Sequence, residues 1–389
     1  MQAGIRHGFV SVGSFLASRL RRPLQAVLAL ALVSAALPAC AQWEIEESHT
    51  TASLRGVANP GGGVAWASGT NGTVVRTEDG GYLWQTCAIP PGAEKLDFRG
   101  IQAFDENTAI VMSSGTGDLS RIYKTTDGCQ TWKLIFTNPD KDGFFDALQF
   151  TSSDLGFVLG DPVTRGSFIG FALFVTQDGG QSFRFFPVTG NSADPKSHGA
   201  FAASNSSLFA EWPSLFFVTG GTAGPLLYRD HFASNPAGQS DPSTSSSLPL
   251  AKGESAGAFA LAFLPGQAVG EVVGGDYKSP NGTKEAAAYT SDSGQHWTLS
   301  VTPPHGFRSA VAYDADHKTW ITVGPNGTDI STDDGKNWRP LLTTEQDAPD
   351  ADKNWNALAL PFVVGPKGRI GKLRTNALDT RPAQAESKP

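Results

Sequence analysis

Ser291, Asp292, Ser293 and His296 stand within the stretch TSDSGQHW. A hydroxyl, a carboxylate and an imidazole so close in sequence are the parts of a nucleophile, an orienting acid and a general base. Taken alone, the stretch would point to acyl transfer. It is not alone. The same frame, Ser/Thr-x-Asp-x-Gly-x-x-Trp/Phe, runs from Thr77 through Asp79 to Trp84, from Thr125 through Asp127 to Trp132, from Thr176 through Asp178 to Phe183, from Thr290 through Asp292 to Trp297, and from Ser331 through Asp333 to Trp338. His296 occupies a variable slot that Leu83, Thr131, Ser182 and Asn337 fill elsewhere. Five copies of one set are five equivalent turns rather than five active sites. In each, the hydroxyl and carboxylate can bond nearby backbone N–H groups, Gly tolerates positive φ, and the aromatic packs back onto its sheet. Cys129 replaces the Gly in the second copy.

The other chemically capable side chains are spread along the chain. Arg55-Gly-Val-Ala, Arg99-Gly-Ile-Gln, Asp146-Ala-Leu-Gln, Gly199-Ala-Phe-Ala, Gly257-Ala-Phe-Ala, Arg308-Ser-Ala-Val and Asn356-Ala-Leu-Ala read as seven openings of one kind of strand, separated by 44, 47, 53, 58, 51 and 48 residues. That spacing suits four-stranded blades of a β-propeller. Around a closed ring the opening positions of blades six, seven, one, two and three are neighbours. Arg308, Asn356, Arg55, Arg99 and Asp146 would therefore line one arc of the channel mouth. Three guanidiniums there suit a carboxylate or phosphate, which their planar forks grip bidentately; the competing reading is that each pairs with a local acid such as Asp97 or Asp105. Asp118, Asp161 and Asp276 fall on loops of the same face and supply carboxylates for glycoside hydrolysis, if two of them oppose each other.

Metal and cofactor chemistry has little to stand on, and neither is expected. Asn138-Pro-Asp140-Lys-Asp142-Gly143 matches the first half of an EF-hand loop, but Gln149 stands where the bidentate Glu belongs. The seven His include no i, i+4 pair, and no CxxC or helix-opening GxGxxG occurs.

Composition agrees with an all-β architecture. Gly 44, Pro 25, Trp 9 and Phe 24 with 17% charged residues describe a turn-rich, aromatic-rich chain of 389 residues. Residues 1–41 read as an export signal: Arg19, Arg21 and Arg22 precede an apolar run from Leu24 to Leu37 that is too short to be a membrane span. Ala39-Cys40-Ala41 fits cleavage before Gln42, the favoured route. Leu37-Pro38-Ala39-Cys40 resembles a lipoprotein box that would anchor the chain through an acylated Cys40. Removing the signal takes away four Arg and no acid, so a formal charge of −7 becomes −11. Nucleic acid is excluded as a partner on that ground. Cys87 and Cys129 would then sit in an oxidising compartment, either bonded or as two separate small apolar residues.

The propeller should cover 42–373. Its last unit lacks an outer strand, and WEIEES (43–48), which opens with Trp as WQTCAI and WKLIFT do, would supply it and close the ring. Blade four has no repeated turn; after GPLLYRD (224–230), the Ser/Pro/Gly-rich segment 231–247 reads as a flexible surface loop. Asn71-Gly72, Asn281-Gly282 and Asn326-Gly327 are placed for type I′ hairpin turns. The tail 374–389 reads as disordered, and a monomer is expected.

The repeated frame resembles the Asp-box, or bacterial neuraminidase repeat, which implies β-propeller blades. With the export signal and LRGV, FRGI and FRSAV at the inner strands, the chain resembles the photosystem II stability/assembly factor propellers of cyanobacteria and plastids. That resemblance implies a non-catalytic scaffold whose arginine patch binds a protein client, with Arg55, Arg99 and Arg308 as the corresponding residues. Sialidases share the repeat and also hold a carboxylate with an arginine triad, so a glycoside hydrolase is the alternative. FRFFP (183–187) lies in an outer strand rather than after the signal, and no Tyr/Glu nucleophile pair is evident.

Overall fold

A computed structural model describes residues 42–188, 192–231, 243–341, 343, 347–348 and 350–378. Residues 1–41, read as an export signal, and the chain from 379 onward lie outside the described residues. Among those described, seven antiparallel sheets ring an axis as a seven-bladed propeller. The innermost strands are Leu54–Gly61, Phe98–Ala103, Phe145–Phe150, Leu208–Glu211, Gly253–Phe263, Ala310–Asp314 and Ala357–Ala359. Each packs against the innermost strand of the next blade, and the seventh against the first. No helix among the described residues is long and apolar enough to cross a membrane.

Closure works as the Trp-led repeat predicts. Trp43–Glu46 adds to the edge of Ile370–Leu373, with Trp43 opposite Leu373. Trp43 Nε1 donates to Thr328 Oγ1 of blade six at 3.1 Å, and its ring packs 6.0 Å from that of Trp355. The N-terminal strand thus completes blade seven, and the closed ring leaves no long open edge.

The five repeated turns share one hydrogen-bond pattern. The Ser/Thr hydroxyl donates to the Asp at 2.8–2.9 Å, and the same Asp oxygen accepts the backbone N–H four residues on at 2.9–3.0 Å. His296 bonds Asp292 of its own turn through Nδ1 at 2.6 Å, so the imidazole serves the turn. Three of the closing aromatics have specific anchors: Trp84 Nε1 donates to Glu46 at 2.7 Å, Trp132 Nε1 to the Ala88 carbonyl at 2.9 Å, and Phe183 stacks on Phe136 with centroids 4.6 Å apart. Cys129 keeps the Gly conformation, φ 63°, and bonds Cys87 with Cα atoms 5.3 Å apart. The departure from Gly thereby ties blade one to blade two.

A second device recurs between blades. Lys124, Arg229 and Lys372, each on the third strand of its own blade, donate to the backbone carbonyls of Gly179, Ser293 and Gly80 in the next blade's turn. Each cation thus satisfies a turn carbonyl that the sheet ladder leaves without a partner.

Several expectations are corrected. Gly199-Ala-Phe-Ala is not the inner strand of blade four; that strand is Leu208–Glu211. Gly199 makes only an isolated bridge with Gly220, and the segment that follows crosses the channel. The loop expected over 231–247 ends in an outer strand, Thr244–Ser247, paired with Leu226–Arg229; 232–242 lie outside the described residues. The polar hydroxyls of Thr244–Ser247 looked like loop chemistry, but the ladder uses their backbone. The part of the tail that is described, 374–378, packs on the propeller: Arg374 N–H donates to the Gln42 carbonyl at 2.9 Å, and Leu378 is buried with Trp43 and Leu341. Of the three Asn-Gly pairs only Asn71-Gly72 has positive φ at both positions (61° and 66°); Pro325 and Asn326 take the central places of the blade-six hairpin, where Gly324 pairs Gly327.

Candidate functional site at the channel mouth

Five side chains converge on the channel because each is the extra residue of a β-bulge. The ladder of blade one skips Arg55 between Leu54 and Gly56, and that of blade two skips Arg99 between Phe98 and Gly100. Blade three skips Asp146 on its first strand and Asp161 on its second; blade five skips Phe259. A bulge leaves one residue without a cross-strand partner and turns its side chain out of the alternating pleat. The Gly after each bulged Arg is required by crowding. A Cβ on Gly56 would lie 3.1 Å from the Arg99 carbonyl, and one on Gly100 would lie 2.8 Å from Asn205 Oδ1.

Residues 199–207 form a plug across the channel. Asn205 Nδ2 donates to the Ile101 carbonyl of blade two (2.8 Å), its Oδ1 accepts from Leu148 N–H of blade three (3.3 Å), and Ser204 Oγ donates to the Ser309 carbonyl beside blade six (3.0 Å). Phe201 stacks on Phe259, with centroids 3.9 Å apart and planes 6° from parallel. The plug makes the mouth a cavity of ≈ 530 Å³ rather than an open channel. Phe259, Phe307 and Tyr277 build an apolar wall beside Phe201, with Tyr277 48% exposed at the rim.

The opposite wall is cationic. Arg99 Nε donates to Asp97 Oδ2 at 2.8 Å and its Nη1 to the Ala202 carbonyl of the plug at 3.3 Å. Arg55 Nε is 3.9 Å from the other oxygen of Asp97, too far to hydrogen-bond, and is buried with no partner. Two guanidiniums share one carboxylate. Burial, with the adjacent charge of Arg99, lowers the proton affinity of Arg55, as expected of a cation short of counter-charge.

Two carboxyls complete the lining. Asp146 is 2% exposed and its Oδ2 has no hydrogen-bond partner. Asp161 accepts the Ala200 N–H of the plug at 2.9 Å. Burial raises the proton affinity of both; for Asp146 the neighbouring Asp161 adds to the rise and Arg99 opposes it. Asn356 reaches the cavity, but its Nδ2 donates to the Leu54 carbonyl at 2.7 Å and so ties blade seven to blade one.

Arg308 does not join the arc. It is fully buried, with Nε 2.9 Å from Asp329 Oδ2 and Nη1 bonded to Asn326 Oδ1 (2.5 Å) and the Phe307 carbonyl (2.8 Å). Asp329 is the cause: a carboxylate 1% exposed must have a cation. Burial alone would raise it, but the His305 hydrogen bond and the Arg308 charge outweigh that and hold it below the ordinary range. Of the carboxylates considered for hydrolysis, only Asp161 lines the cavity. Asp118 is exposed beside Arg121, and Asp276 is held by Ser255 and the Lys278 N–H. Asp140 grips Arg165 with both oxygens at 2.7 Å, which explains the EF-hand-like stretch as an ion-paired turn.

The chain has the fold of the YCF48 propellers. A structure of YCF48, a photosystem II assembly factor, bound to D1 peptide aligns with a TM-score of 0.58 and 17% identity over 86% of this chain and 97% of that one. YCF48 from Cyanidioschyzon merolae aligns at 0.57 and 18%, over 86% and 99% of the two chains. The extracellular domain of a one-component system from B. thetaiotaomicron aligns at 0.55 and 12%, over 85% of this chain and 40% of that one. No family model matches the sequence, and no curated protein matches it. At these identities the likeness establishes fold, and function rests on the site itself.

The bulges are what sequence reading missed. The Arg-Gly dipeptides at 55–56 and 99–100 were their visible trace, since Gly beside a charged residue at a strand start signals close backbone approach.

Proposed function

We propose that this protein is an exported, non-catalytic Asp-box propeller that binds an anionic segment of a protein client at the mouth of its channel. One observation carries the reading: Arg55 and Arg99 share the single carboxylate of Asp97 at a cavity wall, so within this trio one cationic charge is left unpaired. A carboxylate would meet two planar donor forks there, and charge-assisted bonds of this kind are stronger than neutral ones. The apolar wall of Phe201, Phe259, Phe307 and Tyr277 would take the uncharged part of the segment. A propeller of the same fold, YCF48, has been solved with a D1 peptide bound, which supports a peptide as the ligand class.

Panning a random heptapeptide phage library on the purified protein tests the reading. Acidic peptides should be enriched, and Arg55→Ala/Arg99→Ala should weaken them at least tenfold in a protein that still unfolds cooperatively. Enrichment without acidic bias, or full binding by the double variant, rejects it. Export is tested by fractionation and by the mass of the mature N-terminus, which distinguishes Gln42 from an acylated Cys40.

A further inference from the structure

The same cavity holds more acid than its arginines need. Arg55 and Arg99 contribute two positive charges, Asp97 one negative, and Asp146 and Asp161 up to two more. With both bulge acids ionised the five groups sum to one negative charge, with one protonated they are neutral, and with both protonated they sum to one positive charge. An anion entering against ionised acids would meet repulsion at short range. Neither acid makes an ion pair among the described residues, and Asp146 Oδ2 has no hydrogen bond; the Ala200 N–H on Asp161 and the charge of Arg99 favour the ionised forms, and burial opposes them.

We propose that the cavity takes up a proton together with its anion: Asp146 and Asp161 decide whether Arg55 and Arg99 present net positive charge to a carboxylate. The inference rests on the anionic-ligand reading above and adds its regulation. Two carboxyls in one buried wall titrate as a pair, giving up their protons in two steps, and an anion on the arginines favours the protonated form. Reciprocally, protonation favours the anion. The raised proton affinity of both acids agrees with this. The other titratable groups lining the cavity are Arg55 of blade one, Arg99 of blade two and Tyr277 of blade five at the rim; His198, two residues before Ala200, has its Nδ1 3.2 Å from Ser197 Oγ.

N-acetylglutamate is a suitable probe because both its carboxyls are ionised throughout the range of about pH 5.5–8.5. Binding to the purified protein is followed by NMR at the Nε–H groups of Arg55 and Arg99. In the wild type, affinity should fall with rising pH by up to about tenfold per unit where one proton is taken up. In Asp146→Asn/Asp161→Asn, where the side-chain amide oxygen introduced in place of the Asp161 carboxylate can still accept the Ala200 N–H, affinity should be flat and at least ten times higher than wild type at pH 8.5. Asp146→Asn alone, which disturbs no plug contact, should halve the number of protons linked or better. A flat wild-type profile, a slope that survives in the double variant, or no shift of either arginine at pH 5.5 overturns the proposal. Probe binding with proton uptake, in the absence of any selected peptide, would leave it standing while the peptide reading fell; peptide binding with a flat profile would do the reverse.

Discussion

Arg308 and Asp329 form an ion pair from which water is excluded: the side chains are 0% and 1% exposed, and the guanidinium spends its donors on Asp329, Asn326 and the Phe307 carbonyl. Removing one partner of such a pair strands the other in a low-dielectric interior. Arg308→Ala should therefore cost about 3–5 kcal/mol of stability. Arg55→Ala, at a side chain 31% exposed with no close partner, should change stability little and weaken anion binding. Denaturant unfolding of the two variants separates these roles.

Asn205 holds the plug from both sides of its amide. In Asn205→Ala the Ile101 carbonyl and the Leu148 N–H both lose a partner in the channel, at about 1–3 kcal/mol for each group left buried and unbonded. Amide hydrogen exchange in 199–207 should accelerate while outer strands keep their protection. Unchanged exchange there would show that Phe201 on Phe259 suffices to seat the plug.

The Cys87–Cys129 bond closes a loop with a sequence separation of 42 between neighbouring blades. Loss of the bond in Cys87→Ser/Cys129→Ser should lower stability by about 2–4 kcal/mol. Because residue 129 has φ 63°, Cys87→Ser/Cys129→Gly should recover a measurable part of that loss. Equal stability of the two double variants would refute the conformational argument.

Acid and alkali should weaken the fold through different carboxyls. Asp127 and Asp178 are lowered to about 2 by hydrogen bonds from Thr131 and Ser182, so their contribution is complete above the ordinary Asp range and disappears as pH falls towards 2. Glu46, which accepts Trp84 Nε1, is pushed up to about 7 by burial. The native state then holds a proton that the unfolded chain has released, and stability declines as pH rises from about 4.5 through 7. Glu46→Gln should flatten that decline in unfolding midpoints measured between pH 5 and 8. A slope identical to wild type would place its origin in other buried acids such as Glu271.

Repetition made the architecture legible from sequence. Five turn frames and six of the seven strand openings specify one local unit, and the Trp-led segment 43–48 told where the missing strand goes, because turn chemistry and aromatic packing depend on residues within a few positions of each other. The charged residues behaved differently. Arg55, Arg99 and Arg308 occupy the same position in their repeats, yet the first two face the cavity and the third is drawn inward by Asp329, a partner 21 residues away on another strand. Likewise Gly199-Ala-Phe-Ala alternates as a strand should, but Phe201 meets Phe259 and Asn205 meets two other blades, so it plugs the channel instead. The repeat set the local conformation; which side chain faced a ligand was decided only when distant buried charges and bulged strands competed for the same partners across the ring.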